Sequence, residues 1–248
     1  MNTLTNLSHY ASVSLRRFRD PGFRRRLAAM HRSLVSMGRE APGGYIALSR
    51  DLMRTISAEG MVMPDECLLL MRMASEVRDG AIVEIGSYRG RSTIALAIGS
   101  SRGARVPVYA IDPHEGFTGV LGARFGPDDQ TQFERNIERA SIADLVVPVV
   151  ETSTNASAGW KGAIELLWID GDHRYEAVRQ DFELWSAFVS AGGRIAFDDS
   201  TVPGLGPYVL IGEIISGGAF RVLETVGKIT VVARADRNPR ANGECCSS

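Results

Sequence analysis

ELLWIDGDHRYEAVRQDFELW, residues 165–185, begins as an apolar run and ends as an amphipathic helix. Where the two meet stands Asp170-Gly171-Asp172-His173, two carboxylates and an imidazole within four residues. A buried strand giving way to a surface helix is the repeating unit of an α/β sheet. Such sheets bind ligands just beyond the carboxyl ends of their strands, which is where this polar cluster falls.

The same alternation extends in both directions. AIVEIG (81–86), VPVYAID (106–112), LVVPVV (145–150), IELLWID (164–170) and RIAFDD (194–199) read as buried strands. Helical patterns lie between and after them, at 91–100, about 130–140, 175–190 and 205–216. FRVLETV (220–226) and KITVVAR (228–234) flank Gly227 like a tight antiparallel hairpin. The spacing predicts a doubly wound, Rossmann-like α/β sheet.

Upstream, Asp20-Pro21 starts a predicted helix whose apolar stripe runs Phe23, Leu27, Met30, Leu34 and Met37, with Gly38 as its stop. That stripe needs an apolar partner, and a homodimer through this arm is the expectation. Further helices are predicted over 45–58 and from Pro64 to about Val77. The division expected is a helical arm over 1–60, a main domain over 61–235 and a polar tail over 236–248.

The chain has 248 residues, 44% hydrophobic and 23% charged, with a formal net charge of -1. Such a balance argues against general nucleic-acid binding, although seven arginines crowd positions 16–32 with Asp20 as the one acid among them. The three cysteines, Cys67, Cys245 and Cys246, form neither a disulfide framework nor a CxxC zinc pattern. No apolar run approaches membrane-spanning length, so a cytoplasmic protein is expected.

Three motifs at strand ends carry the chemistry. VEIGSYRGRST (83–93) is a strand-to-helix turn in which Gly86 and Gly90 let backbone approach a ligand. Ser92 stands at the helix start, where free N–H groups hold carboxylate or phosphate. The spacing is G-x-x-x-G, so the dinucleotide fingerprint is not met. Asp112 ends the next strand, where an acid can accept both ribose hydroxyls; with the glycine turn beside it, this favours an adenosine-containing cofactor. Asp170 and Asp198-Asp199 end two further strands. If those strands are neighbours, three carboxylates converge and need a cation, and hard oxygen ligands suit Mg²⁺ or another divalent ion. Asp172 reads as a cap of the following helix. His173, beside Asp170, is the candidate general base, since an imidazole can take a proton from a hydroxyl near neutral pH. His114 is its competitor.

Together these residues resemble the class I S-adenosylmethionine-dependent methyltransferases over about residues 60–235, and most closely their metal-dependent O-methyltransferases. The E-x-G-x-x-x-G-x-S motif of the catechol and caffeoyl-coenzyme A branches corresponds to Glu84, Gly86, Gly90 and Ser92. The resemblance implies a sheet of about seven strands with the last one antiparallel. It also implies a cofactor site of Glu84, Gly86, Tyr88, Gly90, Ser92, Asp112, Ser153 and Asp170, and a metal site of Asp170, Asp198 and Asp199. Two departures stand out: Asp199 replaces the family's Asn, and His173 stands where the catechol branch has a catalytic lysine. Asp-Gly-Asp-His followed by Asp-Asp is similar to bacterial methyltransferases of the macrocin type, which implies a sugar, oligosaccharide or glycosylated small molecule as acceptor. A metal-independent methyltransferase and a cofactor-binding module without catalysis are the other readings. The glycine-rich stretch 116–129 is expected to act as a lid or acceptor loop.

Overall fold

Parallel strands covered by helices on both faces bury all their side chains, so their sequences lose the alternation of an exposed sheet. The computed structural model, which describes residues 44–235, has this arrangement. In chain order its elements are α1 (Gly44–Ile56), α2 (Pro64–Glu76), β1 (Ala81–Ile85), α3 (Arg91–Arg102), β2 (Val108–Ile111), β3 (Phe117–Thr118), β4 (Arg124–Phe125), α4 (Pro127–Arg139), β5 (Val146–Val149), α5 (Ser153–Gly159), β6 (Ile164–Ile169), α6 (Tyr175–Trp185), β7 (Val189–Phe197), α7 (Gly206–Ser216), β8 (Phe220–Val226) and β9 (Ile229–Arg234). Seven strands form one sheet in the order β5-β2-β1-β6-β7-β9-β8, and β9 runs antiparallel to both neighbours.

Alternate residues of each central strand feed two cores. Ile82, Leu166 and Trp168 join Leu48, Leu68 and Ile94 on one face. Val83, Leu167 and Ile169 join Val178, Phe182 and Trp185 on the other. Leu48 is fully buried, and Arg102 binds Asp51 at 2.6 Å, so α1 packs on the sheet domain although the sequence assigned 45–58 to the arm. The predicted stripe from Phe23 to Met37, the arginine cluster and the polar tail lie outside the described residues. Among those described, no helix is long and apolar enough to cross a membrane.

Three differences from the sequence expectation have local causes. Helix α4 begins at Pro127 rather than near 130, because proline suits its first turn and Asp129 accepts the Gly126 N–H at 2.8 Å. Helix α5 was not foreseen; Thr152 caps it, its hydroxyl accepting the Asn155 N–H at 3.2 Å. Part of the glycine-rich stretch folds into the β3–β4 hairpin, with Phe117 and Phe125 stacked at 4.6 Å.

One core strand carries a charge-bearing group. Glu84 in β1 is fully buried, its Oε2 accepting the Thr93 hydroxyl at 2.5 Å while Oε1 has no partner. Burial pushes this carboxyl up to about 7, against the hydroxyls of Ser92 and Thr93 and with help from the charge of Asp112. The folded chain therefore holds the proton more tightly than the unfolded chain. The stability linked to it is complete below the ordinary value of 4.5 and is lost as pH rises through about 7. Replacing Glu84 by Gln should flatten this slope. In urea unfolding at pH 5 and pH 8, wild type should lose on the order of a few kcal/mol more than Glu84→Gln between the two conditions. Equal losses would mean that the carboxyl stays charged in the core.

Candidate functional site

The strand order places four strand ends side by side, and the backbone ladder carries their polar residues into line. Past the last paired residues, Asp112 N–H donates to Val149, Gly86 to Ile111, Asp170 to Ile85 and Asp198 to Ile169, at 2.8–3.1 Å. Above this edge opens a cavity of about 530 Å³, within the usual range for small-molecule sites. Gly86, Tyr88, Ser92 and Asp112 line one part of it, and Ser153, Asp170, His173, Asp198 and Asp199 line another. Glu84 and Gly90 do not line it. Glu84 lies behind the turn and holds α3, while Gly90 faces Phe133 and Ile137.

The glycine turn is shaped by close approach. At Gly86 φ is +85°, and a Cβ would lie 2.3 Å from the Asp170 carbonyl oxygen, so only glycine fits. Tyr88 also sits in the left-handed region, at φ +47°. Asp112 stabilises this conformation: its Oδ2 accepts the Ser87 and Tyr88 N–H groups, both at 2.9 Å, and its Oδ1 accepts that of His114 at 2.8 Å. A carboxylate has about four acceptor positions, so backbone occupies most of them and room remains for about one ligand hydroxyl rather than two. The Tyr88 ring meets Phe125 edge-on at 5.3 Å, which seats the β3–β4 hairpin over the turn.

The acid cluster forms as the strand order requires. His173 Nε2 lies 3.7 Å from Asp170, 3.9 Å from Asp198 and 3.8 Å from Asp199. Ligand atoms of Asp170, His173 and Asp198 all lie within 4.8 Å of one another. Burial, then repulsion from Asp198, pushes the Asp170 carboxyl well above the usual carboxylate range, with Lys228 opposing. Both His173 Nε2 and Asp198 Oδ1 are buried without a hydrogen-bond partner. Unpaired buried polar atoms are costly, and several aimed into one small space fit a cation. This donor set of carboxylate oxygens and one imidazole suits a divalent metal ion.

The two histidines part company. His114 is buried, at φ +50°, with its ring 5.8 Å from Phe133 and its Nδ1 3.7 Å from Asp112. It does not line the cavity, and His173 does. Asp172 accepts the backbone N–H of Arg174 at 3.1 Å and its guanidinium Nε at 2.7 Å, so it organises the entrance to α6 without bonding the helix itself.

Among the lining residues that escaped the sequence reading, two carry charge-bearing groups next to the predicted site. Asp181, on the inner face of α6, is pushed up to about 6 by burial, against a bond from Ser153. Lys228, at the tip of the β8–β9 hairpin, pairs its ammonium with Asp198 and lies 3.3 Å from Asp199. Burial pulls Lys228 down, but the charges of Asp198, Asp170 and Asp199 outweigh it and the net shift is upward. A signal for Lys228 existed. A last strand antiparallel to β7 brings the preceding hairpin tip to the carboxyl edge of the sheet.

Residues 83–200 match a family described as a methyltransferase domain, Methyltransf_24. Over 65 residues the chain is 38% identical to the uncharacterized protein R132 of Acanthamoeba polyphaga mimivirus, a match that spans 26% of each chain. The structure of Podospora anserina methyltransferase PaMTH1, bound to SAH, aligns with 83% of this chain and 95% of its own at 17% identity and TM-score 0.57. The calicheamicin methyltransferase CalS11 aligns over 85% and 93% at 16% identity and TM-score 0.55. It is also described as a TDP-rhamnose 3'-O-methyltransferase. TomG of Streptomyces achromogenes, an O-methyltransferase of tomaymycin synthesis solved with SAM, aligns over 77% and 90% at 17% identity and TM-score 0.52. Sheet order and these alignments agree on the fold: residues 83–200 match a methyltransferase-domain family, and the described residues share the fold of the methyltransferase structures to which they align.

Proposed function

We propose that the protein is an S-adenosylmethionine-dependent O-methyltransferase, assisted by Mg²⁺ or another divalent cation and acting on a hydroxyl of a sugar, oligosaccharide or glycosylated metabolite. The observation that carries the proposal is the acid pocket, where Asp170, Asp198 and His173 converge beside the glycine turn with two buried polar atoms unpartnered. The carbohydrate acceptor draws support from the likeness to CalS11. When bound, the sulfonium cofactor supplies the methyl group, and the cation lowers the pKa of the acceptor hydroxyl.

The chain's own residues do the rest. Ser92, at the start of α3, and the Gly86–Tyr88 turn offer N–H and hydroxyl groups to the methionine end of the cofactor. Asp112 accepts a ribose hydroxyl with its remaining lone pair. Asp170 and Asp198 hold the cation, with Asp199 beside them. His173 takes the acceptor proton, a role His114 cannot share from behind the cavity wall. The hairpin over Tyr88 limits access of water to the transfer. We assign the main domain to residues 61–235 with α1 docked on it, a cytoplasmic location, and dimerisation to the N-terminal arm.

A second reading, metal-independent transfer, is favoured by Lys228, whose ammonium already balances part of the acid charge. Chelation separates the two. Activity should vanish with excess chelator and return with Mg²⁺, and Asp170→Asn or Asp198→Asn should abolish it without recovery. Full turnover in chelator, measured with labelled cofactor and a panel of mono- and oligosaccharides, favours the second reading.

Asp112→Asn should weaken cofactor binding by about 1–3 kcal/mol, the worth of a charge-assisted bond. Calorimetric titration checks this, with thermal unfolding to confirm that the released turn has not melted the domain. Unchanged affinity would move the ribose site elsewhere.

His173→Ala should cut kcat by roughly 10²–10⁴. Because His173 Nε2 also belongs to the group of ligand atoms, Mn²⁺ binding to the same variant must be measured. Retained affinity with lost turnover identifies a base. Loss of affinity identifies a ligand instead.

A further inference from the structure

Lys228 pairs with the acids of the pocket, yet neither a cofactor-binding nor a metal-ligand role explains it. An ammonium group has three donors and no lone pair, so it cannot ligate a cation. Yet the fold spends several contacts on placing it. Its N–H donates to Glu66 Oε1 at 2.9 Å, and its carbonyl accepts both the N–H and the hydroxyl of Ser200, at 2.9 and 2.8 Å. The preceding Gly227 has φ +60°, and a Cβ there would lie 2.1 Å from Glu66 Oε1, so the tip is pressed against α2. Three residues from separate parts of the chain thus aim one side chain at Asp198 and Asp199.

The consequence is a matter of charge. Asp198 has a nearly fully buried side chain, 3% exposed, and Lys228 engages its Oδ2 while Oδ1 stays unpaired. Three carboxylates gathered at one sheet edge repel one another, and burial removes the water that would screen them. Lys228 supplies one positive charge to this group whether or not any ligand is present. The same charge repels an arriving divalent cation at short range, where protein screens poorly.

We propose that Lys228 is a resident counter-cation of the acid pocket: it holds Asp198 and Asp199 in place before metal arrives, and it competes with the metal for their charge. This rests on the reading of the pocket as a divalent-cation site. Lys228 is therefore a positioning residue with two effects of opposite sign. It stabilises the metal-free protein and weakens metal binding. A residue needed only for packing would, when replaced, lower both stability and affinity.

The test uses the full chain with Mn²⁺ as probe, followed by electron paramagnetic resonance and calorimetry, together with thermal unfolding. Lys228→Met should lower the melting temperature of the metal-free protein and tighten Mn²⁺ binding, on the order of tenfold or more for the loss of one nearby like charge. Saturating Mn²⁺ should then raise the melting temperature of the variant more than that of wild type. Lys228→Arg, which keeps the charge, should bind Mn²⁺ like wild type and so guards against a folding defect in the methionine variant. Mn²⁺ binding by Lys228→Met alone, with none by wild type, would support competition by Lys228 but overturn the metal-assisted reading of the wild-type pocket. Equal or weaker binding by Lys228→Met, with wild type binding Mn²⁺ normally, overturns the role of Lys228 and leaves the metal site standing. No binding by either protein, both folded, overturns the metal site and the proposal with it.

Discussion

Asp170 and Asp198 end adjacent parallel strands, and the register that pairs Ile169 with Phe197 leaves their carboxyl groups no choice but to face the same small volume. Mutual repulsion between two such carboxylates, with little water between, is costly. The surrounding structure answers it. Lys228 arrives from the hairpin, His173 enters from the loop before α6, and two polar atoms remain unpaired. A protein whose interior carries such a cost in its free form gains most when a cation enters. That is why the pocket, rather than the fold, carries the functional reading.

The glycine turn obeys a different constraint, close approach of backbone to backbone. Gly86 lies against the carbonyl of Asp170, so the glycine turn and the acid pocket share a wall. Asp112 ties the same turn from the other side with three backbone hydrogen bonds. A shift at either strand end therefore propagates to the other. On the function proposed above, this shared wall would couple the turn that holds the methyl donor to the pocket that activates the acceptor, as an in-line displacement demands.

Much of the site is built from residues that do not touch it. Glu84 is a buried carboxyl whose bonds run to the first turn of α3, which presents Ser92 to the cavity. Glu66 grips the Gly227–Lys228 tip through a backbone N–H. Phe125 leans on Tyr88 and seats the small hairpin above the turn. Each acts by holding a neighbouring element that carries a lining residue, so the ordering entropy is lost on folding.

The alternation of apolar runs with amphipathic helices, and the polar residues at the run ends, were legible because both follow from local periodicity and from the rule that ligands meet a parallel sheet at its carboxyl edge. Gly86, Asp112, Asp170, His173, Asp198 and Asp199 could be named on that basis alone. Helix α5 and the β3–β4 hairpin were not legible, since Thr152 and two stacked phenylalanines are weak signals without their neighbours. Which histidine faces the cavity, how many lone pairs Asp112 has left, and that Lys228 stands among the acids are matters of strand order and packing. They join residues such as Asp112 and Tyr88, 24 positions apart, and Lys228 and Asp198, 30 apart, and no local pattern encodes a contact between them. The sequence by itself determined which chemical groups end the strands. Only the tertiary structure decided which of those groups share a space, because charge repulsion and close packing act between strands and not along one.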